Sequence, residues 1–186
     1  NKLVGGETFA QAIPLITQLN EEGFQVTVDH LGEFVDSTEV VRENVQRCIE
    51  SISAIAYHGL ETEISVKLTS LGLDISQDLV MESMELILAK AKESGITVTL
   101  DMEDSSRCHA ILDVYKKLCQ KYDNVGTVIQ SYLYVSERDV DDLNQCSPYL
   151  RLVKGAYNES GKVAFQEKKK VDDNLKHLIK KQLLNG

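Results

Sequence analysis

Phe24-Gln25-Val26-Thr27-Val28-Asp29-His30-Leu31-Gly32-Glu33 is the stretch that decides the fold. Its first six residues read as a strand, introduced by Glu22-Gly23, and its last five as the first β-α turn. An open doubly wound sheet usually keeps a glycine-rich phosphate loop at that turn. Here the turn is Asp-His-Leu-Gly-Glu, and GxGxxG occurs nowhere in the chain. The turn offers side chains, not a backbone cradle.

Outward from this stretch, two hydrophobic periods alternate. Phe9, Ala12, Ile13, Ile16 and Leu19 recur at helical spacing ahead of it. Behind it, Ser37 or Thr38 caps a helix running to about Tyr57, with Val41, Val45, Cys48, Ile49, Ile52 and Ile55 facing inward. The spacing then predicts strands over Glu63–Leu68, Ile96–Leu100, Val125–Gln130 and Tyr149–Val153. Helices are predicted from Ser76 to Lys92, Ser106 to Lys121, Ser136 to Asn144 and Lys162 to Leu184. One helix followed by five β-α units is the pattern of a parallel α/β fold. Right-handed crossovers leave a doubly wound sheet or a (β/α) barrel.

Polar groups choose between them. All five strands end in polar or charged residues: Asp29 to Glu33, Lys67-Leu68-Thr69, Asp101 to Asp104, Gln130-Ser131-Tyr132, and Arg151 to Tyr157. A barrel assembles its site from every β-α loop, whereas an open sheet uses one switch point. The expected fold class is therefore α/β, of the (β/α)8 TIM-barrel family, incomplete, with an N-terminal helix and five β-α units. One domain is expected over residues 1–186. A full barrel typically takes about 250 residues, so 186 residues read as about five-eighths of one.

Composition narrows the function. Hydrophobic residues make up 42% and charged residues 26%, which suits an ordinary globular chain. A formal charge of −9 repels phosphate backbones, which argues against nucleic-acid binding. The start, from Asn1 to Glu7, has no signal-peptide pattern, and no apolar run approaches the ~20 residues of a membrane span. Cys48, Cys108, Cys119 and Cys146 form no CxxC pair, and His30, His58, His109 and His177 show no metal-ligand spacing. Reduced thiols and a cytoplasmic location are expected, and no metal site. The only prolines, Pro14 and Pro148, mark no linker, and Lys168-Lys169-Lys170 reads as a solvated helix face.

The remaining polar residues define the chemistry. An isolated ammonium inside an apolar strand is costly, so Lys67 needs a counter-ion, and Asp101 is the natural candidate. Such a pair is either structural or holds a lysine near a reacting group. Arg151 offers a planar permanent cation suited to a carboxylate, a phosphate or the electron-rich edge of a cofactor ring. Gln130 adds a neutral donor and acceptor, and Gly155-Ala156 lets a flat ligand approach the backbone. His30 is the one histidine at a strand end.

Taken in order, the five strand-end motifs resemble those of proline dehydrogenase, most closely the monofunctional bacterial type. The resemblance covers the chain from Phe24 onward and extends to Val163-Ala164-Phe165-Gln166, which looks like the family's helix after the fifth strand. It implies FAD, L-proline as substrate, Δ1-pyrroline-5-carboxylate as product and a quinone as electron acceptor. Gln130, Arg151, Val153, Gly155 and Ala156 would contact the flavin. Lys67 and Asp101 would lie on its substrate side, Glu33 would act as a gating carboxylate, and Tyr157 would line the same region. Hydride would pass from proline C5 to flavin N5, with faster turnover as the amine loses its proton. The family's substrate-binding arginine pair, a histidine contact to FAD and a tyrosine on the substrate fall beyond Gly186. The chain alone is therefore expected to be nearly inactive. Peripheral membrane contact of the parent protein and a homodimer through open sheet edges are the expected associations. Two other readings stand beside this one: a Schiff-base aldolase barrel using Lys67 or Lys154, and a non-catalytic partial barrel that self-associates.

Overall fold

The structure, a computed structural model, describes residues 4–30, 32–146 and 149–185. Asn1 to Leu3, Leu31, Pro148 and Gly186, named above, lie outside the described residues. The chain forms two compact units that divide between Val98 and Thr99.

The first unit opens with α1 (Phe9–Glu21), whose Thr8 cap accepts from the Gln11 N–H. It continues with β1 (Val26–Asp29), α2 (Thr38–His58), β2 (Thr62–Val66) and α3 (Gln77–Glu93), leading into β3 (Val98–Leu100). β1 and β2 pair in parallel, with Val26 opposite Thr62 and Asp29 opposite Ser65. The Ile64 N–H donates to the Thr97 carbonyl at 3.1 Å. Helix α2 buries Val41, Val45, Cys48, Ile52 and Ile55, and α3 buries Val80, Met84, Ile87, Leu88 and Ala91. Both helices carry their apolar residues on one stripe, as the 3.6-residue period requires. Helix α2 stops where Gly59 takes φ 62°, so His58 sits at the helix end, as its place before a glycine implies.

The second unit contains α4 (Cys108–Leu118), β4 (Val125–Gln130), α5 (Ser136–Leu143), β5 (Tyr149–Val153) and α6 (Lys168–Asn185). β4 and β5 are parallel, from Gly126 opposite Tyr149 to Gln130 opposite Val153. All six residues of β4 are buried, which explains its nearly uncharged sequence. Helix α6 is fixed by Asn174, whose Nδ2 donates to the Ser131 carbonyl at 2.6 Å and to Ser136 Oγ at 2.9 Å. Lys181 meets Glu137 and Asp141 of α5 at 3.0 and 2.7 Å. The Lys168–Lys170 face is exposed.

The strand order is β1-β2-β3-β4-β5, following the chain. A doubly wound sheet reverses its order at a switch point; these five strands do not, and the α/β fold is of the TIM-barrel type.

Most element ends shift by up to three residues from the sequence expectation, and two differences have a clear structural cause. The second strand ends at Val66, because Leu68–Leu71 turns as a buried 3-10 segment closed by Gly72 at φ 97°. The last helix begins at Lys168 rather than Lys162, so Val163–Gln166 is not helical. Its backbone is claimed elsewhere: the Phe165 N–H donates to the Tyr132 carbonyl at 2.7 Å, and the Tyr134 N–H to the Val163 carbonyl at 3.0 Å. Ala164 forms an antiparallel bridge with Leu133, and the rings of Tyr134 and Phe165 meet edge to face at 4.7 Å.

Within the first unit, buried Asn44 donates from Nδ2 to the Ser70 carbonyl at 2.9 Å, tying α2 to the 3-10 segment. Asn44→Ala is expected to cost about 1–3 kcal/mol by leaving that carbonyl unsatisfied, read as a lower urea midpoint with an unchanged slope.

Candidate active site

Among the first unit's strand ends, Lys67 forms an ion pair with Asp29, and both side chains are largely buried. The register explains the meeting. Asp29 lies opposite Ser65, and Lys67 is two residues further on, hence on the same side of its strand. Asp29 was quoted above only as a strand end; the parity of the two strands would have named it as a partner for Lys67. His30 stands beside this pair. Burial holds its imidazole below the usual value, with the Arg47 charge acting the same way and Asp29 against it. Burial, with the Asp29 charge, pushes the Cys48 thiol up to about 11.

Glu33 is exposed. Next to it Phe34 adopts φ 56°, the one described non-glycine residue in left-handed backbone, and it is half exposed. Its neighbour Val35 donates its N–H to the Thr69 carbonyl at 3.2 Å. A strained residue beside a candidate gating carboxylate fits the clustering of such conformations at functional loops. Nothing in the sequence at Phe34 announces it.

In the second unit, Asp101 at the end of β3 is ion-paired with Arg151 of β5. Asp101 is mostly buried, while the Arg151 side chain keeps 38% of its surface exposed. Gln130 is 3% exposed and donates from Nε2 to the Glu103 carbonyl at 2.8 Å. The ladder continues past β4: the Ser131 N–H donates to the Val153 carbonyl at 2.7 Å and the Tyr132 N–H to the Lys154 carbonyl at 2.9 Å. Gly155 then turns at φ 109°. A Cβ on it would lie 2.4 Å from the Tyr132 ring, so only glycine fits. Ala156 is exposed and Tyr157 half-buried.

Further out, Glu159 accepts from the Ser105 N–H at 2.6 Å and from Ser105 Oγ at 2.7 Å. Asp104 accepts from the Ser106 N–H at 3.0 Å and pairs with Arg107. Burial pushes the Asp104 carboxyl up, but hydrogen bonds from Ser106 and Arg107 outweigh it and hold it below the usual carboxylate range. Burial, then the Glu159 charge, pushes the Tyr132 hydroxyl up to about 12. Burial raises Cys108 to about 12, with Asp139, Asp104 and Glu159 adding to it. Lys154 pairs with Asp172 of α6 at 2.6 Å. Neither Glu159 nor Asp172 was singled out from the sequence, since each meets a partner many residues away.

Among the described residues, no group of three His, Cys, Asp or Glu side chains could hold a metal ion, and no helix is long and apolar enough to cross a membrane.

Parallel strands in chain order define a barrel-type α/β protein. The sequence profile of proline dehydrogenase matches residues 12–176, and the chain belongs to that family. Proline dehydrogenase 2 of Bacillus subtilis strain 168 is 56% identical over 185 residues, covering 100% of this chain and 61% of that protein. Proline dehydrogenase of Deinococcus radiodurans is 37% identical over 190 residues, with the same coverage. The chain thus spans about three-fifths of the length of these relatives. A crystal structure of proline utilization A from Bdellovibrio bacteriovorus, inactivated by N-propargylglycine, superposes with a TM-score of 0.88 at 25% identity, covering 98% of this chain and 24% of that one.

Two outcomes check the geometry. Gly155→Ala introduces both a Cβ overlap and a left-handed alanine, and is expected to destabilise the chain by about 1–3 kcal/mol, measured by denaturant titration. For Asp104 the folded carboxyl titrates below the unfolded value of about 3.9. Its stabilisation is full above that value and is lost as pH falls through the folded one. The gap in thermal midpoint between wild type and Asp104→Asn should therefore be widest near neutrality and narrow progressively below about pH 4.

Proposed function

We propose that these residues form part of an FAD-dependent proline dehydrogenase that oxidises L-proline to Δ1-pyrroline-5-carboxylate and passes the electrons to a quinone. The observation that carries the reading is the Asp101–Arg151 pair beside the Cβ-free turn at Gly155, in a chain of this family.

The residues suit a flavin. The missing Cβ of Gly155 lets the Tyr132 ring pack against the turn, and Ala156 presents only a methyl group at the surface. Arg151 is held by Asp101, with 38% of its side-chain surface exposed. Gln130, Arg151, Val153, Gly155 and Ala156 are the residues that would hold the cofactor, which when bound supplies a two-electron acceptor. Lys67, Asp101, Glu33 and Tyr157 are assigned to the substrate side. A positive neighbour such as Arg151 stabilises negative charge that develops on a reduced ring. Asp101 fixes the guanidinium so that no reorganisation is needed during turnover. Asp29 supplies the counter-ion that Lys67 needs in its mostly buried position.

The Schiff-base alternative needs a lysine that is readily neutral. Both candidates are instead engaged in ion pairs, Lys67 with Asp29 and Lys154 with Asp172.

The test is a flavin titration followed by proline-dependent reduction of a soluble quinone. It is carried out on the 186-residue chain and on the chain extended with the remaining length of the Bacillus relative. Bound yellow flavin and turnover that rises from about pH 6 to about pH 9, as the substrate amine deprotonates, are expected of the extended chain. Arg151→Lys loses the planar fork and should weaken flavin binding about tenfold. Trapping of a carbonyl substrate by borohydride, without flavin binding, would sink the assignment.

A further inference from the structure

We propose that Glu159 is a positioning residue, whose carboxylate clasps the loop after β3 and thereby sets how Asp101 meets Arg151. The inference rests on the function proposed above and adds a residue outside the strand-end motifs.

The clasp closes mechanically within the second unit. β3 and β5 are not neighbours; β4 runs between them. Asp101 and Arg151 nevertheless meet across the end of β4. One layer outward, Ser105 and Glu159 span the same gap, four residues beyond Asp101 and eight beyond Arg151. Both carboxylate oxygens of Glu159 are used, one by the Ser105 N–H at 2.6 Å and one by its hydroxyl at 2.7 Å. Charge-assisted bonds of this kind are roughly twice as strong as neutral ones.

Glu159 is itself held. Its N–H donates to the Tyr157 carbonyl at 3.0 Å, and its carbonyl accepts from Gln166 Nε2 at 3.1 Å. Gln166 also donates to the carbonyl of Ala164, the fully buried residue bridged to Leu133. The clasp is therefore anchored through the segment that follows β5 to the end of β4. Asp104 does not compete for Ser105, because its own oxygens serve Ser106 and Arg107. Below the clasp lies Tyr132, close enough to feel the charges of Glu159 and Asp104 and packed against Gly155. Without the carboxylate, the loop carrying Asp101 keeps its strand attachment but loses its outer tie.

Amide hydrogen exchange on the chain, read by mass spectrometry, tests the clasp directly. Glu159→Ala is expected to speed exchange over residues 102–107 by about tenfold to a hundredfold, the range for loss of a hydrogen bond to a charged group. Exchange within 111–117 of α4 should stay put. Ser105→Ala keeps the N–H donor and should give a smaller rise, which preserves the test if Glu159→Ala folds poorly. Unchanged exchange over 102–107 in both variants overturns the clasp. In the flavin-loaded extended chain, Glu159→Ala should alter the visible circular dichroism of the flavin and weaken its binding about tenfold, with Glu159→Gln in between. Faster exchange with an unaltered flavin spectrum and affinity would reduce the contact to a structural one and overturn the positioning role. If wild-type chain binds no flavin, the functional reading fails, while the exchange measurement still reports on the contact itself.

Discussion

The ion pair between Asp101 and Arg151 is the constraint around which the second unit is arranged. A charge just past β3 and an opposite charge within β5 hold these two strands at one separation, because the carboxylate is mostly buried and depends on its counter-ion. The strand between them must then be thin and uncharged, and β4 is: its six residues are buried and Gln130, the last, satisfies itself on the Glu103 carbonyl. At Gly155 the chain leaving β5 passes over the Tyr132 ring too closely for any Cβ.

The first unit solves a similar problem with different residues. Lys67 emerges from an apolar strand and is neutralised by Asp29 from the strand beside it. The 3-10 segment that follows brings Ser70 within reach of Asn44, so the polar end of the strand is tied to a helix. In each unit the carboxylate of the pair stands at the C-terminal end of a strand, Asp29 in β1 and Asp101 just after β3.

Much of this was legible in the sequence. The extents of β4 and β5 and the start of α3 at Ser76 follow from alternation, β-branching and short polar side chains, which act within a few residues. The strand-end motifs were equally plain, because polar residues stand out against apolar runs. What escaped reading depends on contacts between distant residues. Val163–Gln166 has an ordinary helical composition, yet its backbone hydrogen-bonds to the loop after β4, some thirty residues earlier. Phe34 enters left-handed backbone with no glycine or asparagine to advertise it. Glu159 sits past every motif, and only the fold brings Ser105 to it. Local propensity cannot carry such information, since the competing tertiary contact wins.

The buried thiols carry a consequence for the chain's chemistry. With Cys48 raised to about 11 and Cys108 to about 12, the thiolate fraction at neutral pH is on the order of one in ten thousand or less. Thiolate, not thiol, attacks electrophiles and oxidants. An electrophile reaching either position would meet few thiolates, so these two sulfurs act as packing atoms of the core.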